Sequence, residues 1–186
     1  QRSVRQNLDE ILSSCRGNVI LEGGKWRAFT KRSVTPSTIA LTEDNIVGDW
    51  QFANAGNDEK INVVRATIVD PAKSYQPDTV QWPNAGAANS YLTDDNSFEK
   101  RLTLDLPFTN EDHMAEHILL ILLKESRQGI TAVVTCTEEA LQLQIGDVVP
   151  VTHETPGWTG KNFWVMGMGL LQSGQVRVAL VEYDAT

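Results

Sequence analysis

Residues 101–151 read RLTLDLPFTNEDHMAEHILLILLKESRQGITAVVTCTEEALQLQIGDVVPV, and they hold the clearest pattern in the chain. Leu102, Leu104 and Leu106 alternate with Thr103 and Asp105, the period of a half-buried strand, and Pro107 stops it. Asn110 suits an N-cap. Glu111 and Asp112 put acids in the first turn, where the amide dipoles favour negative charge. The segment 110–128 therefore predicts one long helix, with Lys124 and Arg127 in its last turns and Gly129 just past its end. A strand over 130–137 and another around 141–151 are expected to follow.

At a helical angle of about 100° per residue, Met114, Ala115, Ile118, Leu119, Ile121, Leu122 and Leu123 fill an arc of about 200°. That is wider than a surface helix needs. It predicts a helix covered on more than one side, by a sheet and by a further element or subunit. The remaining arc holds His113, Glu116, His117, Lys124 and Arg127 and is polar apart from Leu120.

Outward from this stretch, Val4, Leu8, Ile11 and Leu12 recur at helical spacing, so residues 2–15 predict a helix with Gly17 as its C′ residue. Residues 18–21 and 25–30 read as strands joined by Glu22-Gly23-Gly24, a turn that needs positive φ. Residues 36–48 form a link in which 42–45 starts a helical turn. INVVRATIV, 61–69, is rich in β-branched residues without periodicity, which predicts a strand buried on both faces. Residues 72–97 carry Pro77, Pro83 and Gly86 among polar and small residues and read as a long loop. Residues 162–171 and 175–183 read as two strands, with Gly167 and Gly169 marking a bulge or a close backbone approach.

The chain has 186 residues, 41% of them hydrophobic, enough for one large domain or two small ones. No run of about 18 apolar residues is present, so no membrane span is predicted. A net charge of −8 argues against a nucleic-acid backbone binder, which would carry a basic stripe. Cys15 and Cys136 lie far apart and are read as two buried free thiols. Gln1 lies in what reads as helix interior, so we read the chain as a segment of a longer protein.

One chemical motif has to be weighed. His113-Met114-Ala115-Glu116-His117 matches H-x-x-E-H, in which two histidines one turn apart share a zinc ion and the glutamate acts as base. The pattern opens the helix on its polar arc, near the cationic Lys124, and Glu138 and Glu139 downstream sit in a turn instead of offering a third ligand from a helix. A solvated helix face is the better reading, so no metal-ligating residue is assigned. Gly23-Gly24-Lys25 runs into Trp26 and a strand, so it is a tight turn and not a phosphate loop. Trp26, Trp50, Trp82, Trp158 and Trp164 are scattered and read as core or loop anchors; a carbohydrate-binding module would rest on Trp82 and Trp158. No catalytic and no cofactor-binding residue is assigned.

In order, the segments LDEILSSCRGNVILEGGKWRAF, LTEDNIVGDWQF, EKINVVRATIVDPAKSYQPDTVQWPN and GITAVVTCTEEALQLQIGDVVPV, with EALQLQIGDVV the most telling, resemble one family. It is the central tail-tip, or tip attachment and host-specificity, protein of lambda-like phages, whose hubs also serve gene-transfer agents and are related to contractile baseplates. The resemblance implies an α+β fold: β-rich hub domains with a partly open barrel or sheet, one long helix and an N-terminal helix–hairpin unit. Residues 1–49 would be the helix–hairpin hub subdomain and 50–186 a β-rich hub domain. It further implies a structural, non-enzymatic part of a virion tail tip, made in the host cytoplasm. There it would join the tail tube to the host-recognition apparatus as a homotrimer, with distal tail and tube proteins as partners, no nucleic-acid binding and no cofactor. The alternative is a zinc-dependent hydrolase using His113, Glu116 and His117.

Overall fold

The computed structural model describes residues 3–22, 24–30, 35–48, 50–54, 56 and 60–183. The chain forms two compact units that interleave in sequence: Gln1–Lys31 with Asn57–Arg127, and Arg32–Gly56 with Gln128–Thr186. The boundary read at 49/50 does not separate them. The helix–hairpin is tied to the long helix by Arg16, whose guanidinium donates to Glu125 Oε1 at 3.0 Å, so both fall in one unit. Among the described residues no helix is long and apolar enough to cross a membrane.

The first unit opens with α1 (Val4–Ser13). Ser3 caps it, and the Gln6 side chain accepts the Ser3 N–H in return, a reciprocal capping box. The helix ends at Ser14, and Arg16, not Gly17, takes the left-handed conformation, φ 54°. A Cβ at Gly17 would meet Leu12 Cδ2 at 2.6 Å, so a larger residue there would have to displace that side chain. It opens β1 (Gly17–Glu22), which pairs antiparallel with β2 (Lys25–Thr30) around a two-residue turn. Cys15 in this region is exposed, contrary to the buried thiol expected.

The rest of that unit is a three-stranded sheet, in the order β5-β4-β6, covered by the long helix. In β4 (Val63–Asp70), Val64, Ala66 and Ile68 are buried while Arg65, Thr67 and Val69 are half-buried, so the strand is buried on one face and not both. The β-branched run hid the alternation because Thr67 and Val69 are as β-prone as the core positions. The segment 72–97 is not a loop. After a 3-10 turn, β5 (Gln76–Trp82) pairs antiparallel with β4 along its whole length, and a short helix, α2 (Ser90–Asp94), follows. Trp82 and Tyr91 pack on the unit's own core. Pro77 is tolerated because β5 is an edge strand.

Next, β6 (Arg101–Asp105) runs parallel to β4. Then α3 (Asp112–Arg127) buries Ala115, Ile118, Leu119 and Leu123 against the sheet. Leu122 is only partly buried and Met114 remains 47% exposed, so the buried stripe is narrower than the apolar arc. Fully burying a leucine contributes about 1.5–3 kcal/mol, so Leu119 and Leu123 contribute substantially to the unit's cohesion.

The second unit is an open antiparallel sheet in the order β3-β7-β10-β9-β8, comprising β3 (Gln51–Asn54), β7 (Ile130–Cys136), β8 (Val148–His153), β9 (Trp158–Leu170) and β10 (Val176–Glu182). A 3-10 helix, Glu138–Gln142, occupies the start of the stretch read as a strand from 141. Between β9 and β10 the register shifts at Ala179/Leu180, the bulge that Gly167 marked. A strap over 37–47 runs from one side of the sheet to the other. Ser37 and Leu41 N–H groups donate to β8, and the Val47 N–H donates to Thr135 on β7. Leu41, Phe163, Val165, Val178 and Leu180 fill the core beneath it, with buried Cys136, whose thiol is pushed up to about 11 by burial.

Candidate functional site

The H-x-x-E-H residues lie at the first turns of α3. His113 is 97% exposed, and its Nδ1 stands 3.7 Å from Glu116 Oε2; His117 is exposed as well. Among the described residues, the group of three metal-type side chains whose ligand atoms lie within 4.8 Å of one another is Asp70, Asp78 and Asp112, and it includes neither histidine. That acidic group already has a cation. Lys73 Nζ bonds Asp78 and lies 3.9 Å from Asp70. The hydrogen bond to Asp78 raises the Lys73 pKa and lowers that of Asp78.

A second constellation ties the turn after α2 to the sheet. Buried Asn62 donates to Asp95 Oδ2 and to the Phe98 carbonyl, each at 2.8 Å, and accepts the Lys100 N–H at 2.8 Å. Arg127 donates to both Asp95 oxygens, at 3.1 and 2.5 Å, and to the Ile61 carbonyl. Its guanidinium lies over the Tyr91 ring, 5.0 Å from the centroid. Every polar end of this group is satisfied within the unit, so its role is to hold the fold.

In the second unit, Trp50, Phe52, His153, Trp158 and Phe163 form one aromatic cluster. Trp50 stacks on His153 at 3.9 Å and meets Trp158 edge-on at 5.5 Å, and Trp158 lies 4.9 Å from Phe163. Beside it a cavity of about 510 Å³ is lined by Glu43, Asp44, His153, Glu154 and Trp158. Sequence reasoning took the tryptophans as scattered. The available signal was local: Trp50, just before β3, and Phe52, in it, are two residues apart in extended sequence and fall on one side. Trp82, the other tryptophan of the carbohydrate reading, is in the other unit.

The helix–hairpin exposes a large share of its apolar side chains. No residue of α1 is buried, and Val4 is 85%, Leu21 60% and Trp26 75% exposed.

Residues 3–163 match the family described as "Putative phage tail protein". The chain belongs to this family. Among individual phage tail proteins it is 26% identical to the baseplate hub protein pb3 of Escherichia phage T5 over 182 residues, 97% of this chain and 18% of that protein. The chain thus spans about a fifth of the length of that relative. Two solved structures share the fold. One is a chain in the virion of a native gene transfer agent particle, with TM-score 0.69 and 18% identity over 97% of this chain and 39% of that one. The other is the 43 kDa tail protein of prophage MuSo2 from Shewanella oneidensis, with TM-score 0.61 and 13% identity over 97% of this chain and 54% of that one. The family match takes in the helix–hairpin, the covered sheet and most of the open sheet. The α+β reading with open β-rich parts is the fold observed, and nothing in the site or the relatives favours the zinc hydrolase.

Proposed function

We propose that this phage tail protein is a structural part of the tail hub, without catalysis, placed at the distal tip of the virion. There it links the tail tube to the host-recognition apparatus. Its partners are distal tail and tube proteins and two further copies of itself in a homotrimer. It is made in the bacterial host cytoplasm, takes no cofactor and binds no nucleic acid. We assign no residue to catalysis or to a metal. The observation that supports this most is the similarity to a baseplate hub protein across 97% of the chain. The apolar side chains left exposed on α1 and the hairpin accord with it, since aromatic and aliphatic groups anchor the cores of protein interfaces. Immunogold labelling of particles with an antibody to this chain tests the placement. Gold confined to the tail tip is expected; gold on the head or along the tube would overturn the reading.

A further inference from the structure

His153 ends β8, and three groups hold its imidazole, which is 14% exposed. Trp50 stacks on the ring with 19° between the planes. The Thr155 N–H donates to Nδ1 at 3.2 Å. Glu43, on the strap, places Oε1 3.5 Å from the same Nδ1, and that oxygen also accepts the Glu154 N–H at 2.8 Å. One nitrogen cannot serve Thr155 and Glu43 in the same protonation state. Unprotonated, Nδ1 accepts from Thr155 and the ring proton sits on Nε2. Protonated, it can only donate, and the acceptor within reach is the Glu43 carboxylate.

We propose that His153 is a proton-operated latch between the strap and the turn that follows β8. Uptake of one proton from solvent at Nδ1 breaks the Thr155 N–H bond and makes a charge-assisted bond to Glu43; no covalent bond changes. The turn is released at its own end, and the strap is held more firmly to β8. His153 and Glu43 line the cavity, so the exchange takes place at its rim. Asp44 on the strap and Glu154 on the turn line the same cavity as the ring, and Lys161 on β9 lies over the neighbouring Trp158 ring. Lys161 Nζ is engaged 2.7 Å from Glu182. The inference does not depend on the tail-hub reading.

Nitrogen-15 NMR of the chain tests it. At pH 8 the ring proton is expected on Nε2. Between pH 8 and 5 the Thr155 amide should shift with the same midpoint as the ring and lose exchange protection, while the Glu154 amide keeps its own. His153→Asn retains an acceptor but cannot titrate, so Thr155 should then be flat with pH. A proton on Nδ1 at pH 8 in the parent would overturn the latch, whether or not the variant folds. So would a Thr155 response unchanged in His153→Asn.

Discussion

The carboxylate of Asp95 is nearly enclosed, with 4% of its side chain exposed, and Arg127 holds it from one side while Asn62 holds it from another. The Arg127 hydrogen bond, and less so that of Asn62, keeps its pKa below the ordinary 3.8 against the opposing effect of burial. A depressed carboxylate contributes stability above the unfolded pKa and loses it as pH falls through the folded one. Arg127→Met leaves that carboxylate buried and unpaired, and it should cost about 3 kcal/mol in urea unfolding at pH 7. The loss should shrink toward pH 2, and Arg127→Lys should not restore it, because an ammonium cannot span both oxygens. Equal stability of Arg127→Met and parent at pH 7 would remove this network from the account. The exposed histidines should behave in the opposite way. His113→Ala with His117→Ala is expected to change stability by no more than about 0.5 kcal/mol, and elemental analysis of untagged protein should find no stoichiometric zinc. Zinc that disappears in the double variant would revive the hydrolase reading.

Within the elements, α3 distinguishes what pattern can say from what packing decides. Leu119 and Leu122 lie in the same apolar arc, yet Leu119 has no exposed surface and Leu122 is partly open. Leu119→Ala should therefore cost about 2–5 kcal/mol, and Leu122→Ala roughly 1–2 kcal/mol, by thermal or denaturant unfolding. Equal costs would mean the helix is seated differently. The helix itself, the first hairpin and the bulge at Gly167 were legible because local rules suffice: apolar periodicity, a two-residue glycine turn, glycine in a strand. The strand β5 was not legible, since Pro77, Asp78 and Gln81 are poor strand formers and what makes them a strand is the β4 edge. The aromatic cluster was missed in the same way, because β8 and the residues before β3 meet only through the fold. With β5 paired and Trp82 and Tyr91 packed on their own unit, limited proteolysis should leave residues 76–82 uncut until the unit unfolds. Early cleavage there would restore the loop reading of residues 72–97.

At the scale of the whole molecule, two units of different architecture interleave along the chain, and the family match covers parts of both. The helix α1 buries none of its residues and the hairpin exposes Leu21 and Trp26, surface that a protein contact would cover. Under the proposed hub role, that cover is expected from neighbouring copies and adjoining tail proteins. Cryo-electron microscopy of tails that contain this chain tests the claim most directly. Density for both units is expected at the distal tip, repeated three times about the tail axis, with Val4, Leu21 and Trp26 inside protein contacts. A single copy at the tip, or three copies with those side chains facing solvent, would contradict it.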